Sequence, residues 1–288
     1  MKVLITGSHG FVGTNLTEAF QGKHEIIRWD ARVNQPLPGV DAVIHLAGLA
    51  HDTKNTTEAE AYYKVNTVLT QQIYDRFLES SAKKFVFFSS IKVQDGDTPY
   101  AQSKKKAEEY LIKNEECRIK RNKDLYILRP CMIHGKGVKG NLPLLFNVVK
   151  KGIPWPLATF ENQRSYASME NVSFVVNELL SRNVESGIYP ICDDEPVSTN
   201  ELISIICECL GKEVRMWRIP RRLMVECAKL GDILHLPLNS ERLHKLTESY
   251  VIDNNQIKSA IGVTSLPISI ADGLKYTIKT MIKQDDND

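Results

Sequence analysis

The sequence lacks a long apolar run. No stretch approaches the about 20 apolar residues that a helix needs to cross a bilayer, which argues against a membrane-spanning protein. The chain opens directly on the strand-like run 2–5 and leaves no room for the charged and apolar regions of a secretory signal. We therefore expect a cytoplasmic protein with no membrane partner.

A strong charge of either sign is also missing. The 37 basic and 35 acidic residues leave a net charge of +2 at pH 7, which is too small to indicate nucleic acid or a membrane as a partner. Basic runs occur at 104–106, 118–123 and 221–222. They could form local patches, but solvated helix faces or loops are the favoured interpretation.

Cysteine is infrequent and shows no paired pattern. There is no C-x-x-C pair and no histidine at metal-ligand spacing, so we expect reduced thiols, no metal ion and no redox centre. The six cysteines are Cys117, Cys131, Cys192, Cys207, Cys209 and Cys227. The 42% apolar and 25% charged content is ordinary for a globular protein, and 288 residues can bury a large core.

Short apolar runs alternate with helical patterns through the first half. This alternation predicts a parallel sheet with helices on both faces. The predicted strands are 2–6, 25–30, 40–46, 84–89 and 125–129, and the predicted helices between them are 11–21, 57–80 and 98–115. The second half is less regular, with helices predicted at 141–151, 171–182, 198–210, 220–231 and 268–282 and short strands between them.

A glycine-rich turn, TGSHGFVG at 6–13, follows the first predicted strand. Gly7, Gly10 and Gly13 have the spacing of a dinucleotide-binding turn, which brings backbone amides and a helix N-terminus to a diphosphate. Asp30 ends the next apolar run, near the ~20 residues expected for a carboxylate that holds the adenosine ribose. A glycine-rich turn after a strand can also bind no ligand. Here the strand before the turn, the helix after it and Asp30 together favour a cofactor site.

Tyr100 and Lys104 are four residues apart, which places them on one face of a predicted helix. A nearby cation favours the phenolate and would lower the pKa of Tyr100 toward the pH at which it can move a proton. Ser89 and Ser90 end the strand before this helix, so a hydroxyl lies at the carboxyl edge of the sheet. An exposed helix with an ordinary tyrosine and lysine is the competing interpretation.

These residues belong to a set of motifs that resembles the extended short-chain dehydrogenase/reductase superfamily, in its nucleotide-sugar epimerase/dehydratase branch. The resemblance covers nearly the whole chain. The motifs are TGSHGFVG at 6–13, DAVIHLAG at 41–48, YYKVN at 62–66, FFSSIKV at 87–93, YAQSKKKAE at 100–108, RPCMIHGKGVKGN at 129–141 and RSYASMEN at 164–171. SSIKV and the run GKGVKGNLPLLFNVVKKGIPWPL are most similar to bacterial enzymes acting at C4 of UDP-linked hexosamines for surface polysaccharides.

The resemblance implies an α/β fold: a doubly wound parallel (Rossmann) sheet forming an NAD-binding domain over 1–164, and a smaller C-terminal α/β substrate lobe over 165–288, interleaved with the sheet. It also implies a homodimer formed by helices 57–80 and 98–115. NAD is favoured over NADP because a carboxylate at Asp30 would repel a 2′-phosphate.

The resemblance also implies roles for single residues. Ser90 would hydrogen-bond the sugar C4 oxygen, Tyr100 would move its proton, and Lys104 would bind the nicotinamide ribose. His45 matches a structural core histidine. The implied cofactor residues are Gly7, Gly10, Phe11, Val12, Gly13, Asp30, Leu46, Ala47, Gly48, Asn66, Tyr100, Lys104, Pro130 and Ile133, and the implied substrate residues are Ser90, Asn141, Arg164 and Arg242.

Two segments are shorter than the family pattern. The crossover 31–40 leaves no room for the usual helix and adenine clip, so the adenine contacts stay open, with Trp29 and Arg32 as possible substitutes. The loop 91–99 between Ser90 and Tyr100 lacks much of the family's cover over the sugar.

The reaction is left open between a UDP-sugar 4-epimerase and a 4-keto-sugar reductase or dehydrogenase. A dehydratase is disfavoured because Ile91 and Lys92 occupy the positions where it carries an acidic pair. The alternative from another class is a catalytically silent NAD(P)-sensing regulatory or binding protein of the same fold. The intact Ser90, Tyr100 and Lys104 favour an enzyme.

Overall fold

The structure is a computed structural model that describes residues 1–33, 35–50, 58–94, 96–234 and 239–285. In these ranges the strands, β1 to β8, are Lys2–Thr6, Glu25–Trp29, Ala42–His45, Lys84–Phe88, Asp124–Pro130, Met132–His134, Tyr166–Ser168 and Gly187–Ile191. The α-helices, α1 to α12, are Phe11–Ala19, Ala59–Tyr62, Leu69–Glu79, Pro99–Lys113, Glu115–Lys120, Asn141–Lys150, Met169–Ser181, Thr199–Cys209, Arg221–Leu234, Ser240–Thr247, Asn255–Ile261 and Ile270–Asp285. A π-helical turn, Tyr63–Val68, separates α2 from α3, and a 3₁₀ turn, Ile91–Val93, precedes α4.

The chain divides into two compact units, each built from three segments. The first unit consists of Met1–Met132, Met169–Cys192 and Asp253–Pro267, and the second of Ile133–Ser168, Asp193–Ile252 and Ile268–Asp288. The expected NAD-binding domain over 1–164 and substrate lobe over 165–288 are functional assignments and stay a prediction.

The first unit is organised around a six-stranded parallel sheet in the order β2-β1-β3-β4-β5-β8. Leu4 in the centre of β1 lies between Ile27 of β2 and Val43 of β3. Leu4 and Val43 are fully buried, because the strands of a parallel sheet covered on both faces are apolar throughout. The predicted fold class, a doubly wound parallel sheet, is confirmed.

Helices cover both faces of this sheet. On one face, Phe77 of α3 and Leu111 of α4 pack with Phe85 and Phe87 of β4 in a single apolar core. The other face is covered by α1, α7 and α11, which pack against one another. The helices therefore lie on both faces of the sheet, as the alternation of apolar runs predicted.

The strand order reverses beside β1. The chain runs from β1 outward to β2 and then returns past β1 to β3, so the loops after β1 and β3 leave the sheet in opposite directions. Such a reversal opens a crevice beyond the carboxyl ends of the strands, where ligands of this fold class bind. The glycine turn follows β1, and Ser90 follows β4 at the same edge.

The second unit contains the two-stranded sheet of β6 and β7, with α6, α8, α9, α10 and α12. Its interior holds a buried polar cluster. The Asp193 carboxylate accepts hydrogen bonds from the Ser168 amide and hydroxyl at 2.9–3.1 Å. His134 Nδ1 lies 2.9 Å from the Thr277 hydroxyl, and His134 Nε2 lies 3.4 Å from an Asp193 carboxylate oxygen. Side chains of β6, β7 and α12 therefore meet in this cluster.

Two predicted helices are interrupted. The predicted helix 57–80, whose residue 57 lies outside the described ranges, is divided by the π-helical turn Tyr63–Val68. The predicted helix 98–115 ends at Lys113, and α5 follows it. Neither α10 nor α11 was predicted.

The residues described include no helix that is both long and apolar enough to cross a bilayer.

Candidate active site

Gly7 and Gly13 permit a close approach of backbone segments after β1. Gly7 has a φ of +67°, and a Cβ there would lie 2.7 Å from the Ala47 nitrogen after β3. A Cβ on Gly13 would lie 2.4 Å from the Gly7 oxygen, because α1 packs directly on the turn. Larger residues would open this turn, so these two glycines fit the role that their spacing predicted.

The N-terminus of α1 faces this turn. Gly10 is its N-cap residue and has no side chain with which to satisfy the first helical amides. Its own amide donates to the Gly7 oxygen at 3.0 Å and closes the turn. The next amides, from Phe11 and Val12 onward, carry the positive end of the helix dipole, which suits the diphosphate of a dinucleotide.

The ends of β1 and β3 are joined by a buried polar network. The Thr6 hydroxyl lies 2.7 Å from His45 Nδ1, and His45 Nε2 lies 2.9 Å from the Thr70 hydroxyl. Thr6 also accepts from the amides of Leu46 and Ala47 at 3.2 Å. Burial lowers the pKa of His45 to about 3. His45 is therefore a neutral core residue that orients the loop after β3, as expected.

Ser90 and Tyr100 are brought together in spite of the short loop between them. Ser90 begins the 3₁₀ turn and accepts from the Lys92 amide, and a hydrogen bond joins its side chain to Tyr100. Thr98 caps α4, with Pro99 at its first position. The structure thus places Ser90 against Tyr100, whereas the Ser89 hydroxyl is buried and has no partner among the described residues. Residue 95 of this loop lies outside the described ranges.

Lys104 lies one turn after Tyr100 on α4 and is almost completely buried. Its Nζ donates to the Phe88 carbonyl at 2.8 Å and lies 4.8 Å from the centre of the Phe87 ring. Burial lowers the pKa of Lys104 to about 8, while the charge of Glu108 acts in the opposite direction. With a pKa of about 8, the Lys104 ammonium is mostly charged at neutral pH and loses its charge as the pH rises above that value.

The expected lowering of the pKa of Tyr100 is wrong. Burial raises the pKa of Tyr100, and Tyr62 raises it further. The hydrogen bond from Ser90 acts in the opposite direction but does not outweigh burial. The physical reason is that desolvation of the phenolate exceeds the stabilisation available while Lys104 donates to a backbone carbonyl.

Asn66 lies fully buried in the π-helical turn. Its side chain accepts from the Leu49 amide at 2.8 Å and donates to the Leu49 carbonyl and to the Ser103 hydroxyl at 3.1 Å. A Cβ on Gly48 would lie 2.9 Å from Asn66 Oδ1 and 3.3 Å from Lys104 Nζ. Asn66 therefore fixes the loop after β3 close to Lys104, and Gly48 makes the approach possible.

Asp30 follows β2, as predicted, but its carboxylate is already paired. Arg32 donates to both oxygens through its side chain at 2.8–2.9 Å and through its amide at 3.0 Å. These bonds lower the pKa of Asp30 to about 2. The crossover 31–40 forms no helix in its described residues, which exclude position 34. Arg32, named above as a substitute adenine contact, donates to Asp30 in this structure, and its contact with adenine stays a prediction.

The residues expected to bind the substrate diphosphate lie in the second unit. Asn141 is the first residue of α6. Arg164 donates from Nη1 to the Lys245 carbonyl near the end of α10, and Arg242 is an exposed residue of the same helix. Arg164 thus fastens the helix that carries Arg242.

Two residues with a place in this site were missed from the sequence. Glu108, one turn beyond Lys104, is buried and pairs with Arg129 at the end of β5. The signal for Glu108 was its spacing of four from Lys104 and eight from Tyr100 on one helix face. No sequence signal connected it to Arg129.

A family model described as the NAD dependent epimerase/dehydratase family matches residues 3–191. A UDP-glucose 4-epimerase of Vibrio cholerae is 28% identical over 324 residues, covering 98% of this chain and 96% of the relative. An N-acetyl-alpha-D-glucosaminyl-diphospho-ditrans,octacis-undecaprenol 4-epimerase of Escherichia coli O157:H7 is 25% identical and covers 96% and 94%.

A solved structure shows the same fold. The UDP-glucuronic acid 4-epimerase from Bacillus cereus in complex with NAD superposes with a TM-score of 0.74 and 17% identity, covering 100% of this chain and 99% of that one. The resemblance stated from the motifs is confirmed. Because the family model spans well over half of the chain, this protein belongs to the NAD dependent epimerase/dehydratase family and is an NAD-dependent enzyme of that family.

Proposed function

We propose that this enzyme carries out redox chemistry at C4 of a UDP-linked hexose or hexosamine, as a 4-epimerase or as a 4-keto-sugar reductase or dehydrogenase. The observation that carries the proposal is the hydrogen-bonded pair of Ser90 and Tyr100, with the buried Lys104 one turn further along α4. Both relatives described above are named 4-epimerases. Epimerisation is therefore the first reaction to test.

The fit to NAD rests on the cradle after β1, which a Cβ on Gly7 or Gly13 would fill. The amides at the start of α1 would hold the diphosphate, and Asp30 the adenosine ribose. When bound, NAD supplies an acceptor and donor of hydride. The residues proposed for its nicotinamide end are Leu46, Ala47, Gly48, Asn66, Tyr100, Lys104, Pro130 and Ile133.

In this proposal, Ser90 and Tyr100 carry out the proton transfer at the C4 oxygen. Ser90 would hydrogen-bond the C4 oxygen, and Tyr100 would take its proton as the C4 hydrogen leaves as hydride. Since burial raises the pKa of Tyr100, a phenolate needs a cation beside it. Lys104, with a pKa of about 8, is charged at neutral pH and is the residue that we propose supplies it.

The substrate diphosphate would be held by Asn141 and Arg164, with Arg242 as a weaker candidate. A guanidinium suits two adjacent phosphates because its planar fork donates two parallel hydrogen bonds. The E. coli relative is named for a sugar linked through diphosphate to undecaprenol. A polyprenyl-diphosphate sugar is therefore the second substrate class, since it offers Arg164 the same group.

The decisive experiment is mass spectrometry of the small molecules retained by the purified protein, followed by NMR assays on UDP-sugars and on a polyprenyl-diphosphate sugar. Retained NAD and interconversion of C4 epimers without added reductant would support an epimerase. Turnover that requires added NADH or NADPH would identify a reductase. A protein that binds NAD but alters none of these sugars would contradict the proposal and favour the silent sensor.

We also propose a cytoplasmic homodimer formed through α3 and α4. Val68, in the π-helical turn before α3, and Ile112 on α4 are apolar and 44% exposed, and a matching copy would cover them. The described cysteines are free thiols, including the exposed Cys227, which suits a reducing compartment. Light scattering at micromolar concentration should give twice the mass of the 288-residue chain, and Ile112→Asp should reduce it. A monomer would exclude this dimer.

A further inference from the structure

Helix α9 buries very little of its surface. Only Met224, Ala228 and Gly231 are buried, at spacings of four and three residues. This is a strip along one side of the helix. Every other residue of Arg221–Leu234 is exposed, although the helix is strongly amphipathic in its sequence. Its remaining apolar side chains therefore face away from the described core of the second unit.

Those side chains form a second strip. Leu223, Leu230 and Leu234 are 53–56% exposed and are spaced seven and four residues apart, which places them on one helix face. Ile233 beside them is 73% exposed. Trp217, in the segment that leads into the helix, is 57% exposed. Large apolar side chains that are exposed along one helix face mark an interaction surface.

The same segment concentrates positive charge. Residues 212–234 contain six basic and three acidic residues, a local charge of +3, whereas the whole chain carries +2 and the remainder is therefore net negative. Arg215, Arg218, Arg222 and Lys229 are exposed residues of this segment, and Arg222 and Lys229 lie on α9 itself. Lys229 pairs with Glu226 at 2.8 Å, and Arg221 donates to the Thr159 carbonyl. The small net charge of the whole chain therefore conceals a local excess of positive charge in this segment, which contains the basic run 221–222.

We propose that this surface binds the headgroup layer of a membrane that contains anionic lipids. We call it the α9 surface and define it by Arg222, Leu223, Lys229, Leu230, Ile233 and Leu234 of α9, with Trp217 in the segment that precedes the helix. Leucine, isoleucine and tryptophan side chains on one side and lysines and arginines beside them are the composition of helices that lie in the interface plane.

Charge selects this occupant over a second copy of the chain. A second copy that brought its own segment 212–234 against this one would place a charge of +3 against +3, so like charges would face each other. Anionic headgroups neutralise the same cations and leave the apolar side chains free to enter the acyl boundary. The binding is peripheral, since it needs no helix that spans the bilayer. It is independent of the proposed reaction.

The test is flotation of the intact protein with vesicles of phosphatidylcholine alone or with about one third phosphatidylglycerol, without substrate. We expect binding to the anionic vesicles, loss of binding in high salt, and a blue shift of tryptophan emission that Trp217→Phe removes. The double variant Leu230→Asp/Ile233→Asp should weaken binding at least about tenfold, and Arg222→Glu/Lys229→Glu similarly, given the contribution of each cation at an anionic surface.

The matched control is Ile119→Asp on α5 in the first unit, where the isoleucine is 59% exposed. It should leave vesicle binding unchanged, and circular dichroism should confirm that all variants are folded. Equal binding to neutral vesicles, or no loss in either double variant, would overturn the proposal. So would a dimer in light scattering that Leu230→Asp/Ile233→Asp dissociates, with no binding to vesicles, since the occupant would then be a second copy.

Discussion

Glu108 and Arg129 form a two-pronged ion pair between α4 and β5. Arg129 Nε lies 3.0 Å from Oε1 and Nη2 lies 2.5 Å from Oε2 of Glu108, and Glu108 is only 2% exposed. The pair fixes the helix that carries Tyr100 and Lys104 against the strand beside β4. It also holds a negative charge whose effect on Lys104 opposes that of burial.

We predict that Glu108→Gln moves the alkaline limb of kcat/KM to lower pH. Removal of the carboxylate leaves burial less opposed, so the pKa of Lys104 falls further below its usual range. The ammonium is then lost at a lower pH, and with it the cation that favours the Tyr100 phenolate. Glu109→Gln, at an exposed neighbouring position, is the control. An unchanged pH profile for Glu108→Gln would mean that the pair is purely structural.

Tyr100→Phe should lower kcat by about 10²–10⁴-fold with little change in NAD affinity, because it removes the proton carrier and almost no volume. The measurements are steady-state turnover of the confirmed substrate and a cofactor titration. Tyr110→Phe on the same helix removes a phenol that donates to Asp75 at 2.7 Å and should leave turnover near normal. Near-native turnover by Tyr100→Phe would refute its catalytic assignment.

The Asp30–Arg32 pair should set the cofactor preference. We expect the native protein to bind NAD more tightly than NADP, because the carboxylate accepts bonds from ribose hydroxyls and repels a 2′-phosphate. Arg32→Ala should widen the gap by weakening NADP, since the guanidinium that could pair with the 2′-phosphate is lost. Asp30→Ala should weaken NAD. Equilibrium titrations with both cofactors test this, and equal or tighter NADP binding by the native protein would contradict it.

Arg164→Ala should weaken UDP and UDP-sugars alike by about 1.5–3 kcal/mol, the cost of losing a hydrogen bond to a charged group. Arg164→Lys should restore binding only in part, because a lysine has no planar fork. UDP should bind almost as well as any UDP-hexose, since the short loop 91–99 covers less of the sugar. Calorimetry decides between these outcomes: a UDP-sugar that binds a hundredfold more tightly than UDP would show that other residues close the sugar pocket.

Lys84 should stabilise the first unit by capping a helix. Its Nζ donates to the carbonyls of Leu179, Leu180 and Arg182 at 2.5–2.9 Å, at the negative end of α7. Lys84→Met should lower the free energy of unfolding by about 1–3 kcal/mol, because three carbonyls at the end of α7, two of them in part-buried hydrogen bonds, lose their donor. Lys83→Met, at the exposed adjacent position, should change it little. Equal urea midpoints for the two variants would refute the capping role.

Local patterns in the sequence were enough to predict the sheet and its ligand edge. The apolar runs of β1, β3 and β4 favour burial on both faces of the sheet. Gly7 and Gly13 are needed because α1 packs directly on the turn after β1, where a Cβ would meet backbone atoms. The position of Ser90, Tyr100 and Lys104 at that edge follows from the same pattern, because the carboxyl ends of parallel strands lie on one side of a sheet.

Short-range signals could not predict where helices break. The π-helical turn Tyr63–Val68 keeps its backbone hydrogen-bonded and its residues helical, so no Gly or Pro marks it. Its reason is tertiary: Asn66 bonds to Leu49 and Ser103. The short helices α10 and α11 were missed because each presents too few turns for a hydrophobic period to emerge.

Only the tertiary structure decides the direction of the Tyr100 pKa shift. The four-residue spacing of Tyr100 and Lys104 is fixed by the sequence, but the direction of the Tyr100 pKa shift depends on burial and on which atom Lys104 Nζ contacts. The exposure of the apolar side chains of α9 also depends on the tertiary structure, although the sequence of the helix is amphipathic. Which of its apolar strips is covered depends on what the rest of the chain packs against it, because burial is a property of distant neighbours and not of local order.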